Sequence, residues 1–146
     1  MAFVSVIIPC YNAHQHLQAA LDSIYRQTFT DIEIIVVNDG STDPKTTTML
    51  ASLGNRVNVL DKPNGGLASA RNVGISHSTG EIIVTLDSDD LFEKSFIEKA
   101  VHLFKANPTT GVVSSYVQEF GTSKKTWRAG ATDDFSFLTE NRIVAC

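Results

Sequence analysis

Two short apolar runs, Val4 to Ile8 and Ile32 to Val37, are dense in β-branched residues and show no clear polar alternation. A strand with one wet face alternates apolar and polar residues, whereas a strand covered on both faces reads as an unbroken apolar run. The two runs therefore predict strands buried inside a parallel sheet, and a parallel pair needs a crossover between its members. The intervening stretch supplies it. Leu17, Ala20, Leu21 and Ile24 recur at the i, i+3, i+4, i+7 spacing of an amphipathic helix.

The same alternation continues along the chain. Asp43-Pro44 offers an N-cap followed by proline at the first helical position, which predicts a helix to about Leu53, stopped by Gly54. Val57 to Leu60 reads as a third strand, Asn64-Gly65-Gly66 as a loop, Leu67 to about Ser76 as a helix, and Ile82 to Leu86 as a fourth strand. Phe96, Ile97, Ala100, Val101 and Phe104 mark a further amphipathic helix, ended by Asn107-Pro108, and Val112 to Val117 is expected as a fifth strand. No repeat or linker divides the chain, so residues 1–146 are expected to form one α/β domain. Right-handed crossovers would place the strand ends on one edge.

Composition excludes several classes. With 42% hydrophobic and 19% charged residues over 146 positions, the chain has an ordinary globular balance. Sixteen acids against twelve Lys and Arg give a net charge of -4, the wrong sign for a protein that lives on nucleic acid. Cys10 and Cys146 form neither a metal-ligand spacing nor a disulfide framework, which points to a reduced, cytoplasmic setting. The apolar start Phe3 to Ile8 lacks a basic flank, is too short to span a membrane and runs into Pro9, so it reads as a strand and not as a signal.

The chemistry concentrates in the turns. Asp87-Ser88-Asp89-Asp90 places three carboxylates within four residues after the fourth strand. At the carboxyl end of a parallel strand these acids suit a hard cation, Mg²⁺ or Mn²⁺, shared with the phosphates of a nucleotide. The alternative is that Asp90 caps the following helix while Asp87 and Asp89 are solvated turn residues. The first turn, Pro9-Cys10-Tyr11-Asn12-Ala13, lacks the glycines of a dinucleotide fold, and no P-loop occurs. Tyr11 would either stack on a base or pack at the rim of the core. Asp39, in Asn38-Asp39-Gly40-Ser41-Thr42-Asp43, would accept a ring N–H or serve simply as turn chemistry. In Gly65-Gly66-Leu67-Ala68-Ser69-Ala70-Arg71-Asn72, Arg71 would face a diphosphate or a base-binding carboxylate, or else be a solvated charge.

Taken together, Val4 to Asn12, the Asn38 to Asp43 turn, the Asn64 to Asn72 segment and Asp87 to Asp90 closely resemble, in order and spacing, the inverting glycosyltransferases of family 2. The resemblance covers about Phe3 to Phe120 and implies the GT-A fold, a Rossmann-like three-layer α/β/α arrangement with a mostly parallel sheet. It implies nucleotide binding by Pro9, Tyr11, Asn12, Asp39, Gly66, Arg71, Asp87 and Ser88, with Tyr11 and Asp39 on the base. Asp87 and Asp89 are implied as the acids of the D-x-D motif, Asp87 near the ribose and Asp89 on a Mn²⁺ or Mg²⁺ that bridges the diphosphate, with Asp90 as neighbour. The implied reaction is metal-assisted inverting displacement of a sugar from a nucleotide-diphosphate donor, a UDP-sugar by resemblance, onto a hydroxyl of a sugar or lipid-linked acceptor. The implied setting is cell-envelope polysaccharide biosynthesis in the cytoplasm, with peripheral association of the full-length enzyme at the inner face of a membrane.

The chain departs from the family in one respect. Members of this type run well beyond this length and carry the general base, usually an aspartate, in the half that follows. Asp133, Asp134 and Glu140 fall before that motif is expected, while Phe135, Phe137 and Leu138 would begin an acceptor-side helix and Ile143-Val144-Ala145 a strand. The expectation is a domain truncated on its C-terminal side. It would be the donor-binding half, with its catalytic base unassigned, little transfer activity alone, and self-association through apolar surface near Val112 to Val117. A non-catalytic nucleotide-sugar binding module is the alternative. A sugar nucleotidyltransferase ranks lower, because its glycine-rich basic signature is absent after Ile8.

Overall fold

The computed structural model describes residues 2–127. Asp133, Asp134, Phe135, Phe137, Leu138, Glu140, the Ile143 to Ala145 run and Cys146 lie outside the described residues. The first strand, β1 (Val4–Cys10), is buried at every position, as its unbroken apolar reading requires. It is followed by α1 (Leu17–Tyr25), β2 (Ile32–Asp39), α2 (Pro44–Ser52), a short 3-10 turn at Gly54–Arg56, and β3 (Asn58–Lys62). Then come α3 (Leu67–His77), β4 (Ile82–Thr85) and α4 (Phe96–Ala106). The four strands form one parallel sheet in the order β3-β2-β1-β4, so all of their carboxyl ends open on one edge.

Alternate residues of β1 feed two cores. Val4, Val6, Ile8 and Cys10 pack with Leu17, Leu21 and Ile24 of α1, Leu50 of α2, and Ile97 and Val101 of α4. Ile7 points the other way and joins Ile35, Val37 and Ala70 under α3. Each such aliphatic side chain contributes roughly 1.5–3 kcal/mol by leaving water. The result is the expected three-layer α/β/α arrangement, with α1, α2 and α4 on one face and α3 on the other. Gly74 brings α3 down onto the sheet, since a Cβ there would lie 2.4 Å from Ile7 Cγ2.

Glu33 is an acid inside the sheet that the strand reading passes over. It pairs across the β1–β2 register with Ser5, whose hydroxyl donates to it at 2.5 Å, and it accepts from the backbone N–H groups of Thr79 and Gly80 and the Thr79 hydroxyl. Burial opposes ionisation, but these hydrogen bonds outweigh it and hold Glu33 below the ordinary carboxylate range. The carboxylate thereby ties the turn before β4 to the middle of the sheet.

One expectation needs correction, and one alternative falls away. No fifth strand joins the sheet at Val112 to Val117. Val112 is 70% exposed, and only Val117–Gln118 (β5) pairs, antiparallel, with Thr126–Trp127 (β6) in a separate ribbon. Gly111, Ser114 and Ser115 interrupt the apolar residues, so the segment has no continuous face to bury on a doubly covered sheet. Nor does Asp90 cap a helix. α4 starts at Phe96 with Ser95 in the cap position.

Because Gly74 sits against Ile7 in a close-packed layer, Gly74→Ala should destabilise the fold by about 1–3 kcal/mol through overpacking. Urea denaturation should show a lower midpoint with an unchanged slope. Equal midpoints would mean that α3 does not rest on β1 in this way.

Candidate functional site

The ends of β1, β2 and β4 and the start of α3 enclose a cleft of about 340 Å³, within the range of small-molecule sites. Pro9, Cys10, Tyr11, Asp39, Gly66, Asp87, Ser88 and Asp89 are among its lining residues. Of the residues expected from sequence, only Asn12 and Arg71 are outside the lining. The cleft lies where the chain leaves β1 toward one face and reaches β4 over the other, the switch point at which open α/β sheets bind ligands.

Tyr11 is 50% exposed, so its ring is open to the cleft and not packed into the core. Burial pushes the Cys10 thiol up, against a small opposing hydrogen bond from Ala13, and keeps it a neutral wall. Asn12 adopts a left-handed backbone at φ 52°, which asparagine tolerates. From there it ties two loops together. Its Oδ1 accepts from the N–H groups of Thr42 and Asp43, both at 2.9 Å, and its own N–H donates to Ser41 Oγ at 3.1 Å.

Asp39 is almost wholly buried and accepts from the N–H groups of Gly65 at 2.9 Å and Gly66 at 2.8 Å and from the Lys62 ammonium. The Lys62 hydrogen bond leads in holding its carboxyl below the usual range; burial opposes, and the two glycine N–H groups assist. Asn64 donates to the Asp39 carbonyl at 2.9 Å, and Gly40, at φ 71°, permits this approach, because a Cβ there would lie 2.7 Å from Asn64 N. The second and third turns are thus locked to each other around one buried carboxylate.

Across the cleft, Arg71 donates from a terminal guanidinium nitrogen to Asp87 Oδ1 at 2.6 Å, so α3 and the acid turn are bridged by charge. Arg71 Nε is buried with no acceptor, a donor left over beside the cleft. Asp89 is exposed and accepts no hydrogen bond from the described residues. Asp90 is pushed up, first by burial and then by the nearby charges of Asp89 and Asp87. The turn therefore carries more negative charge than Arg71 balances.

That charge imbalance and an orphaned donor fit a cation together with an anionic ligand. Among the described residues no group of three or more His, Cys, Asp or Glu side chains is gathered for a metal. A magnesium-type site does not need one, because such ions commonly use one or two carboxylates and complete their shell with phosphate and water. Asp89 and Asp87 offer that donor set.

Sequence reasoning missed the residues that brace the acid turn. Gln27 donates to the Glu93 carbonyl at 2.8 Å and accepts from Ile97 N–H at 3.1 Å, while Ser23 Oγ accepts from Phe92 N–H at 3.1 Å. Both side chains are buried. A polar pair on the last turn of an amphipathic helix and just after it was the available signal, but its partners lie about seventy residues away.

Residues 5–144 match the family described as Glycosyl transferase family 2. The chain belongs to this family. Among curated relatives it is 35% identical over 123 residues to Glycosyltransferase GlyA of Streptococcus pneumoniae, covering 81% of this chain and 18% of the relative. It is 40% identical over 112 residues to the Chondroitin synthase of Pasteurella multocida, covering 75% and 12%. Among solved structures, S. aureus TarS 1-349 in complex with UDP-GlcNAc aligns with a TM-score of 0.64 at 30% identity, over 73% of this chain and 32% of that one. The mannosyltransferase PcManGT of Pyrobaculum calidifontis, in complex with GDP-Man and Mn²⁺, aligns with a TM-score of 0.67 at 32% identity, over 80% and 35%. The chain thus spans less than a fifth of these two curated relatives and about a third of these two structures. The GT-A fold of this family is the fold described above.

The second turn also carries a titratable latch. Asp43 caps α2, accepting from Thr46 Oγ1 at 2.8 Å and the N–H groups of Thr46 and Lys45, and it sits 2.7 Å from His14 Nδ1. Led by the Thr46 hydroxyl, these contacts lower its carboxyl to about 2. A carboxyl lowered on folding contributes stability above its unfolded value near 4 and loses it as pH falls toward the folded one. Between about pH 4 and pH 2, Asp43→Asn should therefore lose less stability than the wild type, after starting from a lower Tm at pH 7. Parallel Tm curves across that window would contradict the latch.

Proposed function

We propose that this chain forms the donor side of a glycosyltransferase that moves a sugar from a nucleotide diphosphate, a UDP-sugar in our reading, to an acceptor hydroxyl by inverting displacement. The observation that carries this is the convergence of Tyr11, Asp39, Asp87 and Asp89 on one cleft at the carboxyl edge of the sheet, with Arg71 paired to Asp87 from α3. The reading draws support from relatives with UDP-GlcNAc and with GDP-Man and Mn²⁺ bound.

In this reading the base lies at the Tyr11 and Asp39 end, with the open tyrosine ring stacking and the buried carboxylate accepting a ring N–H. Pro9, Gly66 and Ser88 line the path between base and diphosphate, and Asn12 serves by shaping the loop beside it. Asp87, oriented by Arg71, faces the ribose, and the spare Arg71 donor adds positive charge beside the phosphates. A divalent cation, Mn²⁺ or Mg²⁺, held by Asp89 and Asp87 would neutralise charge on the departing diphosphate. The acceptor is a sugar or lipid-linked hydroxyl, and deprotonating it falls to a base that no described residue supplies in this reading. Cell-envelope polysaccharide synthesis on the cytoplasmic side, with peripheral membrane contact, is the setting we infer, in line with a chondroitin synthase among the relatives. No helix of the described residues is long and apolar enough to cross a membrane. The exposed Val112, Phe120 and Trp127 are where self-association of this chain would occur.

Two variants test the halves of the cleft. Asp89→Asn should weaken UDP binding in Mn²⁺ while leaving binding in EDTA nearly unchanged, because an amide is a poorer ligand for a hard cation. Tyr11→Ala should cost both UDP and uridine about 1–3 kcal/mol, the usual worth of a stacked base. Calorimetry reads both, and equal losses for Asp89→Asn with and without metal, or intact uridine binding in Tyr11→Ala, would overturn the respective assignment. Sedimentation velocity should show dimers or larger species; a monomer at all concentrations would end the self-association reading.

A further inference from the structure

Lys62 closes β3, and its side chain is only 14% exposed. Its ammonium donates to Asp39 Oδ1 and, at 2.6 Å, to the Pro63 carbonyl. A charge so far withdrawn from water is tolerated only when paired, and the Asp39 side chain, 5% exposed, is its partner. The two oxygens of Asp39 are loaded unequally. Oδ1 takes both the Lys62 ammonium and the Gly65 N–H, whereas Oδ2 takes only the Gly66 N–H. A carboxylate oxygen offers two acceptor directions, so Oδ1 is filled and Oδ2 keeps one. Asp39 lines the cleft.

We propose that Lys62 is a positioning residue for base recognition: by filling Oδ1 it fixes the Asp39 carboxylate so that a single acceptor, on Oδ2, meets the ring N–H of a nucleotide. This rests on the reading that the cleft holds a nucleotide. The ligand class that fits is a base with a ring N–H next to a carbonyl, as in uracil, thymine or guanine. Removing the ammonium frees an acceptor on Oδ1, lets the carboxylate turn, and removes the leading influence that keeps Asp39 ionised. The titratable groups that share the cleft lining with Asp39 are Cys10, which ends β1, Tyr11 after it, and Asp87 and Asp89 in the acid turn, and Arg71 of α3 is paired with Asp87.

The test is calorimetry of the full chain with uridine, UDP, guanosine and GDP from about pH 3.5 to 8, a window that reaches the ordinary carboxylate range. Lys62→Met should weaken a nucleoside and its diphosphate by the same factor, about tenfold, the scale of one hydrogen bond to a charged group. Its affinity should also fall off at a higher pH than that of the wild type, and Lys62→Arg should restore part of both. Glu33→Ala, which loosens the amino-terminal end of the β1–β2 pair away from the cleft, should lower Tm without moving affinity, and so separates instability from positioning. Wild-type binding with unchanged affinity and pH profile in Lys62→Met overturns the role of Lys62 alone. Absence of wild-type binding to every probe overturns the nucleotide reading and this role with it. Where Lys62→Met does not fold, Lys62→Leu, which likewise lacks a donor, carries the same comparison, and affinity equal to wild type across pH overturns the role.

Discussion

The structure depends on β1 lying at the centre of a parallel sheet. Its seven residues are all buried, and it pairs with β2 on one side and β4 on the other. Parallel pairing forbids a direct hairpin, so every return passes through a helix and every strand ends on the same edge. α1 covers one face on the way to β2, whereas α3 crosses the other face on the way from β3 to β4. The chain therefore diverges above the β1–β4 junction, and the cleft is the space left by that divergence.

An open edge of loops would be mobile if backbone hydrogen bonding were left to water. Here side chains do the fixing. Asn12 holds the second turn to the first, Asp39 holds the third to the second, Arg71 holds the acid turn to α3, and Gln27 holds the chain that descends from it. Against this fixed surround, Tyr11 and Asp89 are exposed. The side chains that fix the loops are held mainly by one another and by backbone, with one buried donor of Arg71 left over.

Much of the fold was legible because its determinants are local. Period-3.6 spacing marked α1 and α4, the Asp43-Pro44 pair marked the start of α2, and unbroken β-branched runs marked β1 and β2. The misread strand at Val112 to Val117 shows the limit of that signal, since β-branched content says a segment is able to extend but not that a sheet edge will receive it. The lining of the candidate cleft was legible in Asp87, Asp89, Tyr11 and Asp39, because these end strands or follow them closely. Lys62, Gln27, Ser23 and Glu33 were not, because each gains its meaning from a partner twenty or more residues away.

By itself the sequence determined the α/β alternation, the burial of β1 and β2 inside the sheet, and the acid turn after β4, because periodicity and turn chemistry act over a few neighbouring residues. Tertiary structure alone decided which loops share the cleft, that Arg71 meets Asp87, that Asn12 braces a loop outside the cleft lining, and that Asp39 reaches the cleft with only one acceptor direction open. Those outcomes depend on strand order and on close approach at Gly40 and Gly74, and both are set by packing between segments that no local pattern connects.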